Sequence, residues 1–157
     1  MSERTAGVRL ARLGASFFGV GLAPKAPGTW GSLAALVPGV ALLAVSPLAL
    51  LAGIVLVGLL GLWVVKASRI EGDPGWVVID EVAGQWIALL ALSGPSVVGV
   101  VAAFALFRLF DITKPGPVGW ADRRLKGALG VMADDVLAGL LAAGVLGIGR
   151  WLLPGVF

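Results

Sequence analysis

From Ala26 to Val65 the chain carries no charged residue. That run is too long for one membrane crossing and just long enough for two of about 17 residues. Ser46-Pro47 supplies the break between them. Lys66 and Arg69 mark the return to water, and a polar stretch with Glu71, Asp73 and Pro74 follows. A second apolar block, Val77 to Leu92, reads as a third membrane helix opening with Asp80 and Glu81. Ser93-Gly94-Pro95-Ser96 turns the chain, and a fourth helix runs from Val97 back to Arg108 and Asp111. It ends before Pro115, because a residue ahead of proline is pushed out of the helical region. A fifth helix runs from about Gly130 to Leu153 and starts with Asp134 and Asp135. The pattern predicts an all-α integral membrane bundle of about five short helices, one domain spanning residues 1–157.

Residues 1–23 place Arg4, Arg9 and Arg12 ahead of an apolar stretch, the outline of a signal peptide. Gly14, Gly19 and Gly21 interrupt that stretch, so it reads as an interfacial segment with basic residues toward lipid headgroups. Next comes the Pro- and Gly-rich run from Pro24 to Ser32, in which Thr29 stands where an N-cap would start the following helix. Free amides at a helix start attract anions, so Lys25, Thr29 and Ser32 are candidate phosphate-binding residues. An ordinary turn with an ordinary cap explains the same residues. No Gly-Lys-Ser/Thr follows as in a Walker loop, and Gly19-Val20-Gly21 lacks the third glycine of a dinucleotide fingerprint.

Counting crossings puts every polar motif on one side, together with eleven of the twelve Lys and Arg residues; Arg150 lies opposite. By the positive-inside rule that face is cytoplasmic. The third and fourth helices are short for a hydrocarbon core of about 30 Å, so their acids sit near headgroup depth, which favours a lipid substrate. Small residues recur every four positions in Asp80-Gly84-Ala88, in Asp135-Gly139-Ala143-Gly147 and in Gly31-Ala35-Gly39. Such stripes let membrane helices pack closely, so Asp80 and Asp135 should face a common interior. Glu81 and Asp134 are each rotated by about 100° from their neighbours, toward the rim of the same site.

Composition confirms the membrane class: 59% of 157 residues are hydrophobic, 13% are charged, and mean hydropathy is +1.01. Cys, His and Tyr are absent. Disulfides, thiolate metal sites, His nucleophiles and Ser-His-Asp hydrolysis are therefore excluded. A net charge of +3 gives no support to nucleic-acid binding. What remains for chemistry is carboxylates, Lys, Arg, Ser and Thr.

Carboxylates near lipid are costly and are usually functional. Asp80, Glu81, Asp111, Asp134 and Asp135 are accordingly the candidate catalytic and metal-ligating residues, and Arg108 and Lys114, at three-residue steps with Asp111, are candidates for binding phosphate. Each group has a plainer reading. The two acidic pairs fit helix first turns answering the dipole, and Arg108 with Asp111 fits an intrahelical ion pair. Arg123, Arg124 and Lys126 fit lipid-facing anchors, and most of the six tryptophans fit interfacial belts. Two acidic pairs plus Asp111 on one membrane face favour the metal site.

Three runs carry a resemblance: GLAPKAPGTWGSLAAL (Gly21 to Leu36), VIDEVAGQWIALLAL (Val78 to Leu92) and FRLFDITKPGPVGWADRRLKGALGVMADDVLAG (Phe107 to Gly139). In this order they resemble the signature blocks of the phosphatidylglycerophosphatase A family. The resemblance implies a bacterial inner-membrane enzyme, which the crossing count makes multi-pass with its active site toward the cytoplasm. It implies Mg-dependent removal of the terminal phosphate of phosphatidylglycerophosphate, an anionic phospholipid, to give phosphatidylglycerol.

Chemistry and resemblance together suggest one or two Mg ions on the five acids and attack by a metal-held water. Lys25, Arg108 and Lys114, with the amides near Thr29 and Ser32, would neutralise phosphoryl charge. A phosphoaspartate route is also open, although the DxDx[TV] arrangement is missing. Two alternatives remain: a phosphatase for another phosphomonoester, and an ion channel or transporter carrying Mg or protons, which predicts acids spread through membrane depth. A CDP-alcohol phosphotransferase is disfavoured because DGxxAR is absent.

Overall fold

Proline and serine divide the chain where the uncharged run has to bend. The computed structural model describes residues 2–70 and 74–153, with side chains from residue 6 onward; Glu71, Asp73 and the Arg4 side chain lie outside the described residues. Among the described residues there are seven α-helices: α1 (Ser2–Ala15), α2 (Pro27–Val45), α3 (Pro47–Ala67), α4 (Ile79–Leu90), α5 (Val97–Thr113), α6 (Pro117–Arg124) and α7 (Gly127–Leu152). A single 3-10 turn, Val20–Leu22, lies between α1 and α2. The fold is all-α among the described residues, as the pattern predicts. Ser46 serves both flanking helices. Its N–H donates to Leu42 O at the end of α2, and its hydroxyl accepts from Ala49 N–H at 3.0 Å to cap α3, with Pro47 preset at the first helical position. Ser96 caps α5 in the same way, through Gly99 N–H.

Three helices, α2, α3 and α7, are long and apolar enough to cross a membrane. The expected count of about five does not hold by this measure. Helix α4 has 12 residues and α5 has 17, so they rise about 18 Å and about 26 Å against a hydrocarbon core of about 30 Å. The spanning helices keep much of their apolar surface outward: Val37, Leu59 and Ile148 are all more than half exposed.

Helix α4 is the axis of the bundle. It is too short to cross on its own and is buried nearly all round, so its apolar residues face neighbours on every side. Gly31 of α2 lies against Val78 and Gly39 against Trp86, so α2 and α4 run in the same direction. Trp86 is therefore a core residue, not part of an interfacial belt, and its Nε1 donates to Ala35 O at 2.8 Å. Gly84 and Gly139 meet backbone to backbone where α4 crosses α7, and Phe107 of α5 packs on the same point. The small-residue stripe of α7 ends there in effect, since Gly147 has open space beside it. At the opposite end of the bundle Arg150 Nη1 donates to Ala91 O at 2.6 Å, covering a carbonyl at the end of α4.

Three local expectations change. The N-cap of α2 is Ala26 in a left-handed conformation, not Thr29, which sits in the third helical position. Pro27, with φ already near helical values and no N–H to lose, starts the helix three residues earlier. Helix α7 begins at Gly127, so Asp134 and Asp135 lie about two turns inside it and are not first-turn acids. Between them and α5 the polar stretch forms α6, which Pro117 initiates and which the apolar pattern does not mark.

Candidate active site

Asp80 and Glu81 occupy the first turn of α4, and the Gly84–Gly139 crossing brings α7 close enough for Asp135 to join them. Each of the three offers a carboxylate oxygen within 4.8 Å of the other two. Asp80 and Asp135 are about 95% buried. Asp80 Oδ1 accepts from the Glu81 N–H at 3.1 Å, which ties the first pair to the helix start. The close approach has a specific origin: a side chain at either glycine would drive the two backbones apart.

Helix α5 contributes from the far side, ending at the same level because Pro115 stops it. Arg108 Nη1 pairs with Asp111 Oδ2 on its own helix and lies 3.8 Å from Glu81 Oε1. Asp111 in turn neighbours the Asp135 carboxyl. The intrahelical ion pair of the plainer reading is present, and it also reaches the acid cluster. Glu81 and Asp111 thus share the Arg108 guanidinium, and Asp80 and Asp135 join the group through Glu81 and Asp111.

The start of α2 closes the fourth side. Gly28 sits where a Cβ would run into Glu81 Oε1 and come within 3.2 Å of Arg108 Nη1, so a side chain there would displace the Glu81 carboxylate. Thr29 is half-buried beside it, and its N–H donates to Ala26 O. Ser32 is fully buried, and its hydroxyl donates to Gly28 O at 2.8 Å, toward its own helix. Lys25 is exposed, two residues before α2 begins.

Asp134 faces elsewhere. Lys114, left-handed at the C-cap of α5, leaves the α5 face and donates to Asp134 Oδ2 at 2.7 Å and to Asp122 of α6. Partial burial works to lower the Lys114 pKa, but the two carboxylates outweigh it and hold the ammonium above the ordinary lysine range. The triad fastens α5, α6 and α7 together beside the acid cluster. Asp122 received no role from the sequence, because only the left-handed turn at Lys114 brings it within reach.

Gln85 was also overlooked. It is completely buried one turn after Glu81, and neither its amide nitrogen nor its oxygen has a hydrogen-bond partner. Its spacing of four from Glu81 was the available signal. Glu81 Oε2 and Asp135 Oδ2 are likewise buried without partners. Buried carboxylate oxygens with unused lone pairs, and no thiol or imidazole, suit a hard divalent cation. A separate cleft of about 610 Å³, lined by Arg9, Arg12, Arg69 and Trp76 among others, shares no lining residue with this cluster.

Apolar spanning helices around a short buried helix, with carboxylates gathered at one end, define a membrane protein built around an acidic, cation-compatible centre. Comparison with known proteins supplies the family. The phosphatidylglycerophosphatase A profile matches residues 13–150; the chain belongs to that family and is an enzyme of the phosphatase class. It is 40% identical to phosphatidylglycerophosphatase A of Escherichia coli over 82% of this chain and 77% of that protein. Identity to phosphatidylglycerophosphatase A of Haemophilus influenzae is 42%, over 87% of this chain and 86% of that protein. A Bacteroides thetaiotaomicron protein named as a candidate phosphatidylinositol-3-phosphatase is 42% identical over 87% of this chain and 91% of its own length. No solved structure matches the chain.

Proposed function

We propose that this protein hydrolyses the terminal phosphomonoester of phosphatidylglycerophosphate to phosphatidylglycerol and inorganic phosphate, with Mg²⁺, at the bacterial inner membrane. The observation that carries this reading is the meeting of Asp80, Glu81 and Asp135 within 4.8 Å, beside Arg108 and the start of α2, in a phosphatidylglycerophosphatase A family chain. Asp80, Glu81 and Asp135 are the residues to hold Mg²⁺, with Asp111 adjoining. Bound there, Mg²⁺ supplies Lewis acidity toward the phosphoryl oxygens and a water nucleophilic at neutral pH. Arg108, beside Glu81, and Lys25, two residues before α2, would offset phosphate charge, with the free amides at the start of α2 as further candidates. Asp134, held by Lys114, sets the position of α7 and through it of Asp135. The basic residues gathered at this end support a cytoplasmic orientation by the positive-inside rule. Grouping of the acids at one end of the bundle disfavours the transporter reading.

The test is phosphate release from phosphatidylglycerophosphate in detergent micelles, with Mg²⁺ or with EDTA, and with phosphatidic acid and phosphatidylinositol 3-phosphate as competing substrates. Expected is release that EDTA abolishes, and loss of at least about 100-fold in Asp80→Asn and Asp135→Asn variants that remain folded. Wild-type turnover in both variants, or full activity in EDTA, refutes the mechanism. A preference for phosphatidylinositol 3-phosphate instead supports a second reading, which the name of the Bacteroides relative favours: the same chemistry on another lipid phosphomonoester.

A further inference from the structure

Five buried side-chain polar atoms among the described residues have no hydrogen-bond partner: Glu81 Oε2, both amide atoms of Gln85, Arg108 Nε and Asp135 Oδ2. They are not scattered. Four residues carry them, on α4, α5 and α7, and three of those residues belong to the acid cluster. Gln85 is the fourth and the deepest, with no exposed surface at all. Buried amides are almost always hydrogen-bonded, because losing water without a replacement partner is unfavourable. An apolar side chain of the same length would fill this position at lower cost, so packing alone gives no reason for an amide.

Placement supplies one. Gln85 follows Glu81 by four residues and so lies on the same helix face. Helical side chains lean toward the N-terminus, which carries the Gln85 amide back over the turn that holds Glu81. Gly84 beside it lets Asp135 and Phe107 close in from α7 and α5. On the α2 side Gly31 meets Val78 and Gly39 meets Trp86, a parallel register that sets buried Ser32 near the level of Ile79, between the start of α4 and Gln85. The Ser32 hydroxyl is committed to Gly28 O, whereas Gln85, deeper along α4, keeps both its amide atoms without a partner.

We infer that Gln85 is a positioning residue of the phosphatase site. In the working site its Nε2–H would donate to the oxygen of Glu81 that has no partner here, and its Oε1 would accept from water or a substrate hydroxyl in the cluster. A neutral amide suits this task because it both donates and accepts, and a further carboxylate would add to the repulsion among four acids already present. This inference deepens the phosphatase reading and rests on it.

The test compares wild type with Gln85→Met, which keeps length and shape and removes both polar functions. Three quantities are read on the full chain in detergent: thermal unfolding, Mn²⁺ affinity by electron paramagnetic resonance without substrate, and kcat and KM for the phosphomonoester. The expected result is unfolding at or above the wild-type temperature, Mn²⁺ binding weakened about tenfold, and kcat lowered 10- to 100-fold with KM within about twofold. Unchanged Mn²⁺ affinity and kcat overturn the inference. So does a destabilised variant whose folded fraction binds Mn²⁺ and turns over as wild type does, since that marks a purely structural role. If Gln85→Met does not fold, Gln85→Asn decides, because it keeps both functions but withdraws them by one methylene: lowered kcat and Mn²⁺ affinity support the role, and wild-type values overturn it. If wild type hydrolyses no lipid phosphomonoester, the function proposed above fails on its own, while the Mn²⁺ titration still decides whether Gln85 serves the acid cluster.

Discussion

Replacing Gly84 with Ala tests whether the α4–α7 crossing is what assembles the acids. A Cβ at position 84 would lie 2.5 Å from Asp135 O and closer still to the Phe107 ring, whereas ordinary contact begins at 3.4 Å. The Phe107 ring can turn, but the Asp135 carbonyl belongs to a helix backbone. Relief therefore requires α7 to withdraw by up to about 0.9 Å. Overpacking of this kind costs about 1–3 kcal/mol, which a bundle this extensively packed should survive folded. The site is more sensitive, because it is Asp135 itself that recedes from Asp80 and Glu81. Misplacing a catalytic group by about 1 Å lowers rates by on the order of 100-fold. Expected is a folded Gly84→Ala variant with kcat reduced 10- to 100-fold and weaker Mn²⁺ binding, measured by phosphate release and by metal titration in the same detergent. Wild-type turnover together with wild-type Mn²⁺ affinity would refute the argument that this contact sets the carboxylate spacing. Gly147→Ala, on the same helix face but in open space, is the control and should leave both values unchanged.

Lys114→Met removes the shared partner of Asp122 and nearly buried Asp134 and should destabilise the protein by about 1–2 kcal/mol, a figure kept low because Lys114 is partly exposed. Because the folded-state pKa of Lys114 is raised, its contribution is complete below the ordinary lysine value and disappears only as pH rises through the higher folded value. The stability gap between wild type and Lys114→Met in thermal unfolding should therefore stay constant from pH 6 to about 10 and narrow only above it; a gap that closes near pH 8 contradicts the assignment. Arg150→Ala uncovers a carbonyl at the far end of α4 and should cost under about 1 kcal/mol with phosphate release unchanged. A large loss of activity there would mean that the two ends of α4 are coupled.

Much of the fold and part of the site were legible in the residue order. An uncharged run from Ala26 to Val65 with one Ser-Pro break admits little except two apolar helices, because a buried backbone must satisfy its own hydrogen bonds. The four-residue stripes through Asp80 and Asp135 placed those acids on packing faces, and the structure shows both buried where α4 and α7 meet. Local rules failed where a neighbour's chemistry decides. Thr29 is the better cap by propensity, yet Pro27 starts the helix earlier and displaces it. Asp134 and Asp135 are adjacent in sequence, and adjacency cannot say that one turns to Lys114 while the other turns to Glu81; a rotation of about 100° on α7 separates two different partners.

Sequence alone therefore determined the helical class, the break of the uncharged run into two helices and the roster of acids, since these follow from hydropathy, periodicity and residue chemistry within one helix. Tertiary structure decided which acids share a centre, how Lys114 reaches Asp122, and that Gln85 is buried beside them without a partner. Each of these depends on a separation of a few ångströms between different helices, and that separation is set by which glycines meet which backbones.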